Sequence, residues 1–548
     1  MDEYIFGANI LENLTTGMYQ DSKVCYREYI QNACDQIDKA VEQGILSSIS
    51  EGQIQIWIEN RTISIKDNAT GIPKADFEKT LANIADSSKK IGTDKGFRGI
   101  GRLCGLAYCK KLKFTSTAYG EDTISIMECD AEKMRDFLNR NVNGEKFTAN
   151  EVLNQIYKFE YITGKSVISK HEFTVELIDV NEENGELCNE DTVKQYLSFI
   201  APVPYQNTFM FQTEIHEHAK EIGYKIDEYN IKVNGEDIFK KYKTRFKTQK
   251  GDDEIFGIEF KDFYDENGNL MMWLWFGVSK FKGVIEKKCS MRGLRLRKEN
   301  IQIGNEDALQ KLFAEDRGQH YFVGELFAVS KELIPNSQRD YFNENKTRLW
   351  FEKEIKQYFK ETSKKKYYDG STINSSYDKI DAYNKKVAEH QKKLENNEYI
   401  DAERDKAEQD LKIAEEKAQT AQKKINILKE KSKETKTGEI VGRVIDRIEQ
   451  ERNKEKNEVT SVEKVLPPKN SSSNKSKVPH WSDRLSRCNK KERKLIEQVV
   501  NIIMKNTDEE TLEKITWSSY AYDKLHTSTV LTSNGFLFFT SWSLSIIG

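Results

Sequence analysis

A polar row early in the chain, Tyr26-Arg-Glu-Tyr-Ile-Gln-Asn-Ala-Cys-Asp35, restricts what its neighbours can build. Glu28, Asn32 and Asp35 fall at i, i+4 and i+7, so a helix carries them on one face. Tyr29, Ile30 and Ala33 are left to pack elsewhere. Two carboxylates and a carboxamide in one row cannot enter an apolar core without partners. Either the row is a solvated face, or it lines a site that supplies those partners. The helical pattern runs from about residue 23 to 43, with Gly44 as its stop signal.

Two later stretches bear on that choice. Gln53-Ile-Gln-Ile-Trp-Ile-Glu59 and Arg61-Thr-Ile-Ser-Ile-Lys66 alternate apolar and polar residues, which predicts a hairpin that delivers Asp67 to its rim. Asp67-Asn-Ala-Thr-Gly71 then reads as a turn. Lys95-Gly-Phe-Arg-Gly-Ile-Gly-Arg-Leu-Cys-Gly105 is a glycine-rich loop entering an apolar segment. Backbone N–H groups at Gly96, Gly99 and Gly101 can converge on an anion. A helix starting near Arg102 would add its N-terminal dipole. Taken singly, each of these is a common turn.

In this order, within about a hundred residues, they resemble the Bergerat-fold ATP-binding domain of the GHKL superfamily. Its members include Hsp90, type II topoisomerases, MutL, MORC proteins and sensor histidine kinases. The resemblance is specific over residues 1–180 and looser to about 360. It implies an α+β chain: a Bergerat-fold α/β sandwich ATPase domain over 1–180 and an S5-like α/β transducer domain over 181–365. Coiled-coil helices (375–460), a flexible linker (461–480) and a helical C-terminal segment with an apolar tail (481–548) complete the expected layout.

The resemblance also implies ATP and Mg²⁺ as cofactors and assigns roles. Glu28 is the expected general base and Asn32 the metal ligand, with Asp35 beside them at the nucleotide. Asp67, Gly71 and Thr174 are expected around adenine, since a carboxylate accepts from its exocyclic amine and cannot pair with a guanine carbonyl in the same way. Ser88, Lys89, Gly96, Arg98, Gly99, Ile100 and Gly101 are expected at the phosphates. Leu333-Ile-Pro-Asn-Ser-Gln-Arg-Asp-Tyr-Phe342 resembles the loop by which the Hsp90 middle domain reaches the γ-phosphate. Arg339 is its expected catalytic cation and Gln338 a supporting donor. Ala69 departs from the family's Asp-x-Gly-x-Gly turn. The implied partners are ATP or ADP, a second copy of the chain in an ATP-dependent dimer, and either DNA or a protein client or effector.

Composition narrows the rest. A net charge of -3 gives no global basic excess. The eight cysteines are scattered, without zinc spacing, and read as reduced thiols of a cytoplasmic protein. No apolar leader opens the chain, and the apolar tail from Gly535 is shorter than the ~20 residues a membrane helix needs. Residues 131–165 read as a helical insertion and 306–315 as a helix. Arg295 and Arg297 share a strand face, suited to a nucleic-acid groove, to the ATP site or to a charged sheet edge. Leu411, Ala414, Ala418, Ala421, Ile425 and Leu428 step by 3, 4, 3, 4 and 3, a heptad seam that fits a partner chain or a hairpin within one chain. No phosphoacceptor histidine box precedes the ATP motifs, which disfavours a histidine kinase. The seam favours a MORC-like clamp that closes on DNA, a kind with bacterial representatives in phage defence. An Hsp90-like chaperone or a nucleotide-binding scaffold are the alternatives.

Overall fold

Sequence periodicity accounts for the first layer. After α1 (Asn9–Leu14), the polar row lies on α2 (Val24–Glu42). Gly44, at φ +70°, ends α2: its N–H reaches Val41 O and that of Ile45 reaches Ala40 O, satisfying the last carbonyls. The alternating stretches become β1 (Gln53–Glu59) and β2 (Thr62–Asp67), joined at Asn60 and Arg61, both with positive φ as a tight hairpin turn requires. The computed structural model describes residues 5–15, 17, 21–84, 99–396, 401–433 and 436–464. Residues 1–458 form one compact unit; the other, 459–548, lies almost wholly outside the described residues.

Continuing along the chain are α3 (Lys74–Ala82), β3 (Cys109–Thr117), β4 (Thr123–Asp130), α4 (Ala131–Val142), α5 (Ala149–Ile156), β5 (Tyr157–Thr163) and β6 (Glu172–Val180). Then come α6 (Glu190–Ile200), α7 (Gln212–Glu221), β7 (Asn230–Val233) and β8 (Glu236–Asp237). Among the described residues these strands form an eight-stranded mixed sheet ordered β5-β4-β3-β6-β2-β1-β7-β8. Ile54, Ile56, Ile63, Ile65, Leu112 and Leu177 pack from the sheet against Tyr26, Ile30 and Ile37 of α2.

Two expectations change here. The stretch 131–165 is not wholly helical: Tyr157-Lys-Phe-Glu-Tyr161 alternates and pairs with β4 as the edge strand β5. Nor does the sheet stop at 180, because β7 lies parallel to β1 through the register Gln53↔Asn230 to Ile56↔Val233.

The chain goes on through β9 (Arg245–Thr248), β10 (Gly251–Glu254), β11 (Gly257–Tyr264), β12 (Leu270–Val278), β13 (Gly293–Lys298), β14 (Ile301–Gln302) and β15 (Val323–Ala328). The last five form a sheet ordered β11-β12-β15-β13-β14 among the described residues. Strand β12 is apolar on both faces and buried on both: Trp273 and Trp275 join Tyr205 and Phe327, while Leu274 and Phe276 join Leu294 and Leu326. The helix expected over 306–315 is only a 3-10 turn, Gln310–Leu312.

Arg295 and Arg297 do share a face, but β13 is interior and both are buried, so none of the three sequence readings holds. Arg297 pairs with Glu325 of β15 and donates to the carbonyls of Phe199 (2.8 Å) and Asn300 (2.9 Å). Glu325 also takes Lys240 Nζ at 3.2 Å, Tyr242 OH at 3.2 Å and Tyr205 OH.

Among the described residues the α-helices that follow are α8 (Lys346–Tyr358), α9 (Lys364–Glu395), α10 (Asp401–Lys431) and α11 (Lys436–Lys464). The heptad seam on α10 packs within the chain. Ile425 clusters with Ile373 and Tyr377 of α9 and with Ile440, Val444, Ile445 and Ile448 of α11. Helix α11 lies on the second sheet, where a Cβ on Gly257 would come 2.9 Å from Ile440, and Arg447 pairs with Glu254 at 3.0 Å.

Candidate nucleotide site

A cleft of 920 Å³ lies between α2, the β2 rim, the end of α3 and the Gly99–Gly101 segment. Its α2 wall is Glu28, Asn32, Gln36 and Lys39, with Gln43 beyond the helix end. The row is therefore centred slightly to one side of the expected one. Asp35 is buried on the adjoining side of α2, and Gln36 lines the cleft in its place.

Asp67 closes one end of the cleft and is only 4% exposed. Its carboxylate accepts the Ala69 N–H at 3.0 Å. Burial nevertheless pushes its pKa up to about 7. Ala69, where the family has glycine, points its methyl into the core and leaves this turn intact. The turn is further held by His171, whose Nδ1 lies 2.6 Å from Ala69 O and 3.0 Å from Asn68 O. A carbonyl only accepts, so Nδ1 carries the proton.

Gly71 has φ +62°, and a Cβ there would overlap the carbonyl oxygen of Thr117. Gly71→Ala is therefore expected to lower stability by about 1–3 kcal/mol from backbone strain alone. It should also displace the β2 rim and weaken any ligand seated on Asp67. A denaturant midpoint together with a nucleotide titration checks both effects.

The glycine segment opposes Glu28. Gly99 has φ +68°, Ile100 lines the cleft, and a Cβ on Gly101 would overlap Glu28 Oε2. Gly101 opens a seven-residue 3-10 helix, Gly101–Ala107, in place of the α-helix expected near Arg102. The Arg102 guanidinium is occupied by backbone carbonyls: Gly99 O at 2.8 Å, Leu81 O at 3.1 Å and Asn83 O. Tyr29 ties this segment to α2, donating to Arg102 O and accepting from Gly105 N, both at 3.0 Å.

From the other sheet, the loop after β15 arrives at Glu28. Arg339 Nε is 3.4 Å from Glu28 Oε1, and Arg27 Nη2 is 3.3 Å from the same oxygen. Arg27 Nη2 also donates to Gln338 O at 3.1 Å. Ser337 and Arg339 line the cleft, whereas the Gln338 side chain is exposed and contributes its carbonyl, an acceptor rather than the expected donor.

Glu28, Asn32, Asp67, Gly71, Gly99, Ile100, Gly101 and Arg339 thus border one cavity. Thr174 does not. It pairs with Lys66, and Asp67 pairs with Phe173, so strand alternation turns Thr174 to the opposite face while Phe173 and Val175 line the cleft. Ser88, Lys89, Gly96 and Arg98 lie outside the described residues. Sequence reasoning missed Arg27, Tyr29 and His171. Only Arg27 carried a signal, as a second cation directly beside Glu28.

Residues 23–163 match the family model described as histidine kinase-, DNA gyrase B-, and HSP90-like ATPase. Over these residues the chain is similar to GHKL-type, Hsp90-like ATPase domains. Among individual proteins it is similar to the chaperone protein HtpG of Rickettsia akari, 27% identical over 172 residues, 28% of this chain and 27% of that protein. It is also similar to HtpG of Halalkalibacterium halodurans, 28% identical over 131 residues, 21% of each chain. The chain thus spans about a quarter of the length of these relatives. No described helix is long and apolar enough to cross a membrane.

Proposed function

We propose that the chain binds and hydrolyses ATP in this cleft, and that ATP-driven closure between its eight-stranded and five-stranded sheets, with pairing of two copies, gates a macromolecular partner. The observation that carries this reading is the meeting of Arg339 and Glu28 in a cleft that Asp67 also lines. Asp67 accepts the adenine amine. Backbone N–H groups around Gly99–Gly101 face the phosphates. Asn32 is the one cleft residue offered to Mg²⁺. Mg²⁺ keeps water and phosphate as most of its ligands, so a single protein donor suits it. Such an ion supplies charge neutralisation at the phosphates.

Glu28 orients and deprotonates the attacking water. Its Oε1 is shared by two guanidiniums. Arg339 leaves this pairing to grip phosphate by parallel hydrogen bonds, which frees one side of the base. Turnover then follows the closure of the arginine loop more than the chemical step.

Asp67 provides the test. The amine donates more strongly to an ionised carboxylate than to a carboxylic acid, and burial raises the pKa of this carboxyl to about 7. ATP affinity should therefore be highest above pH 7 and weaken below it, as the charge-assisted hydrogen bond gives way to a neutral one. Asp67→Asn should abolish this slope and weaken binding by about ten- to a hundredfold. Calorimetry between pH 5.5 and 8 reads both, and a wild-type affinity independent of pH would remove Asp67 from the site.

A second reading concerns the partner. Ala418, Ala421 and Ile425 of the seam that favoured a DNA clamp are buried within the chain. The likeness to HtpG favours a protein client, and turnover that rises with unfolded protein but not with DNA supports that choice.

A further inference from the structure

Arg339 is held in an unusual backbone state. Its φ is +54°, a left-handed conformation that non-glycine residues seldom adopt. Two hydrogen bonds keep it there: Arg339 N donates to Asn336 O at 3.1 Å, and Gly304 N donates to Arg339 O at 2.8 Å. Gly304 is itself left-handed at φ +67°, and a Cβ on it would lie 2.5 Å from Asp340 O and 2.9 Å from Ala308 Cβ. Its carbonyl accepts from Gln302 Nε2 at 3.0 Å. Gln302 Oε1 in turn accepts from Arg295 Nη1 at 2.8 Å. Arg295 lies with its guanidinium 4.4 Å from the Phe199 ring centre, and both Arg295 and Gln302 are buried.

A polar relay therefore runs Arg295, Gln302, Gly304, Arg339, Glu28, from the second sheet to the cleft. We propose that Gln302 is a positioning residue for the arginine loop, fixing Gly304 so that Arg339 is presented to Glu28 and, on the ATPase reading above, to the phosphate. The choice of side chain follows from its bonding. A glutamine accepts from Arg295 with one end and donates to a carbonyl with the other. Glutamate accepts but cannot donate, and leucine does neither. Gln302 does not line the cleft, so it acts through where Arg339 stands.

The test compares the full chain with Gln302→Leu, Gln302→Glu, Arg339→Ala and the Gln302→Leu/Arg339→Ala double variant. Both Gln302 variants should lower kcat by on the order of ten- to a hundredfold, as small misplacements of a catalytic group do. ATP affinity should stay near wild type, while melting temperature falls somewhat because the buried Arg295 guanidinium or the Gly304 carbonyl loses its partner. On the Arg339→Ala background, Gln302→Leu should add nothing. Hydrogen exchange over residues 333–342 should quicken in both Gln302 variants, with the first sheet unchanged. An equal fractional loss in both backgrounds, or unchanged exchange in the loop, overturns the proposal. A wild-type chain that releases no phosphate while the loop exchange still responds leaves Gln302 in its positioning role and overturns the ATPase reading instead.

Discussion

Glu28→Ala is expected to lower steady-state phosphate release by about 10²–10⁴-fold, the contribution of a positioned general base, while ATP still binds. Binding survives because the adenine end, Asp67 with Gly71, belongs to β2 and the turn after it and makes no use of Glu28. The variant also removes the carboxylate that Arg27 and Arg339 share, so affinity should hold or rise slightly as Arg339 becomes available to phosphate. Phosphate release and calorimetry on one preparation separate the two effects. Turnover at the wild-type rate would remove Glu28 from the chemistry.

The largest expected loss of stability belongs to Glu325→Gln. Burial alone would raise the Glu325 pKa, but Arg297 and Lys240 outweigh it and hold it near 2. The glutamate is thus ionised inside the fold, with a guanidinium, an ammonium and two phenols around it. Removing one partner of a buried ion pair costs about 3–5 kcal/mol, since the other charge stays buried. Lys240 softens the blow: burial, with Arg297 beside it, already brings its pKa down to about 7. Without Glu325 it drops further and becomes neutral, which leaves Arg297 as the charge without a counterion. The variant should show a lower denaturant midpoint and melting temperature at pH 7.5. The carboxylate's pKa is depressed in the folded state, so its contribution is present above about pH 4.5 and is lost as pH falls towards 2. The gap between variant and wild type should close over that range.

Local periodicity was readable, and it gave α2, the β1–β2 hairpin and the turn at Gly71. Pairing across long stretches of sequence was not. Thr174 was misplaced because strand parity depends on the β2–β6 register, set more than a hundred residues away, and a shift of one residue turns a side chain to the other face. The common face of Arg295 and Arg297 was legible, whereas Arg295 standing opposite Glu325 in the parallel β13–β15 pair was not. A heptad seam looks the same whether its partner is another chain or α9 and α11 of its own, so the seam on α10 left both open. The approach of Arg339 to Glu28 spans 311 residues, and no local pattern encodes it; the resemblance of its loop supplied it.

The central claim is an adenine-selective nucleotide cleft, and a direct titration of the full chain with ATP and with GTP under identical conditions tests it. The predicted result is saturable binding of one ATP per chain and little or no binding of GTP, whose base presents a carbonyl where Asp67 needs a donor. Absence of ATP binding, or equal affinity for the two nucleotides, would contradict it.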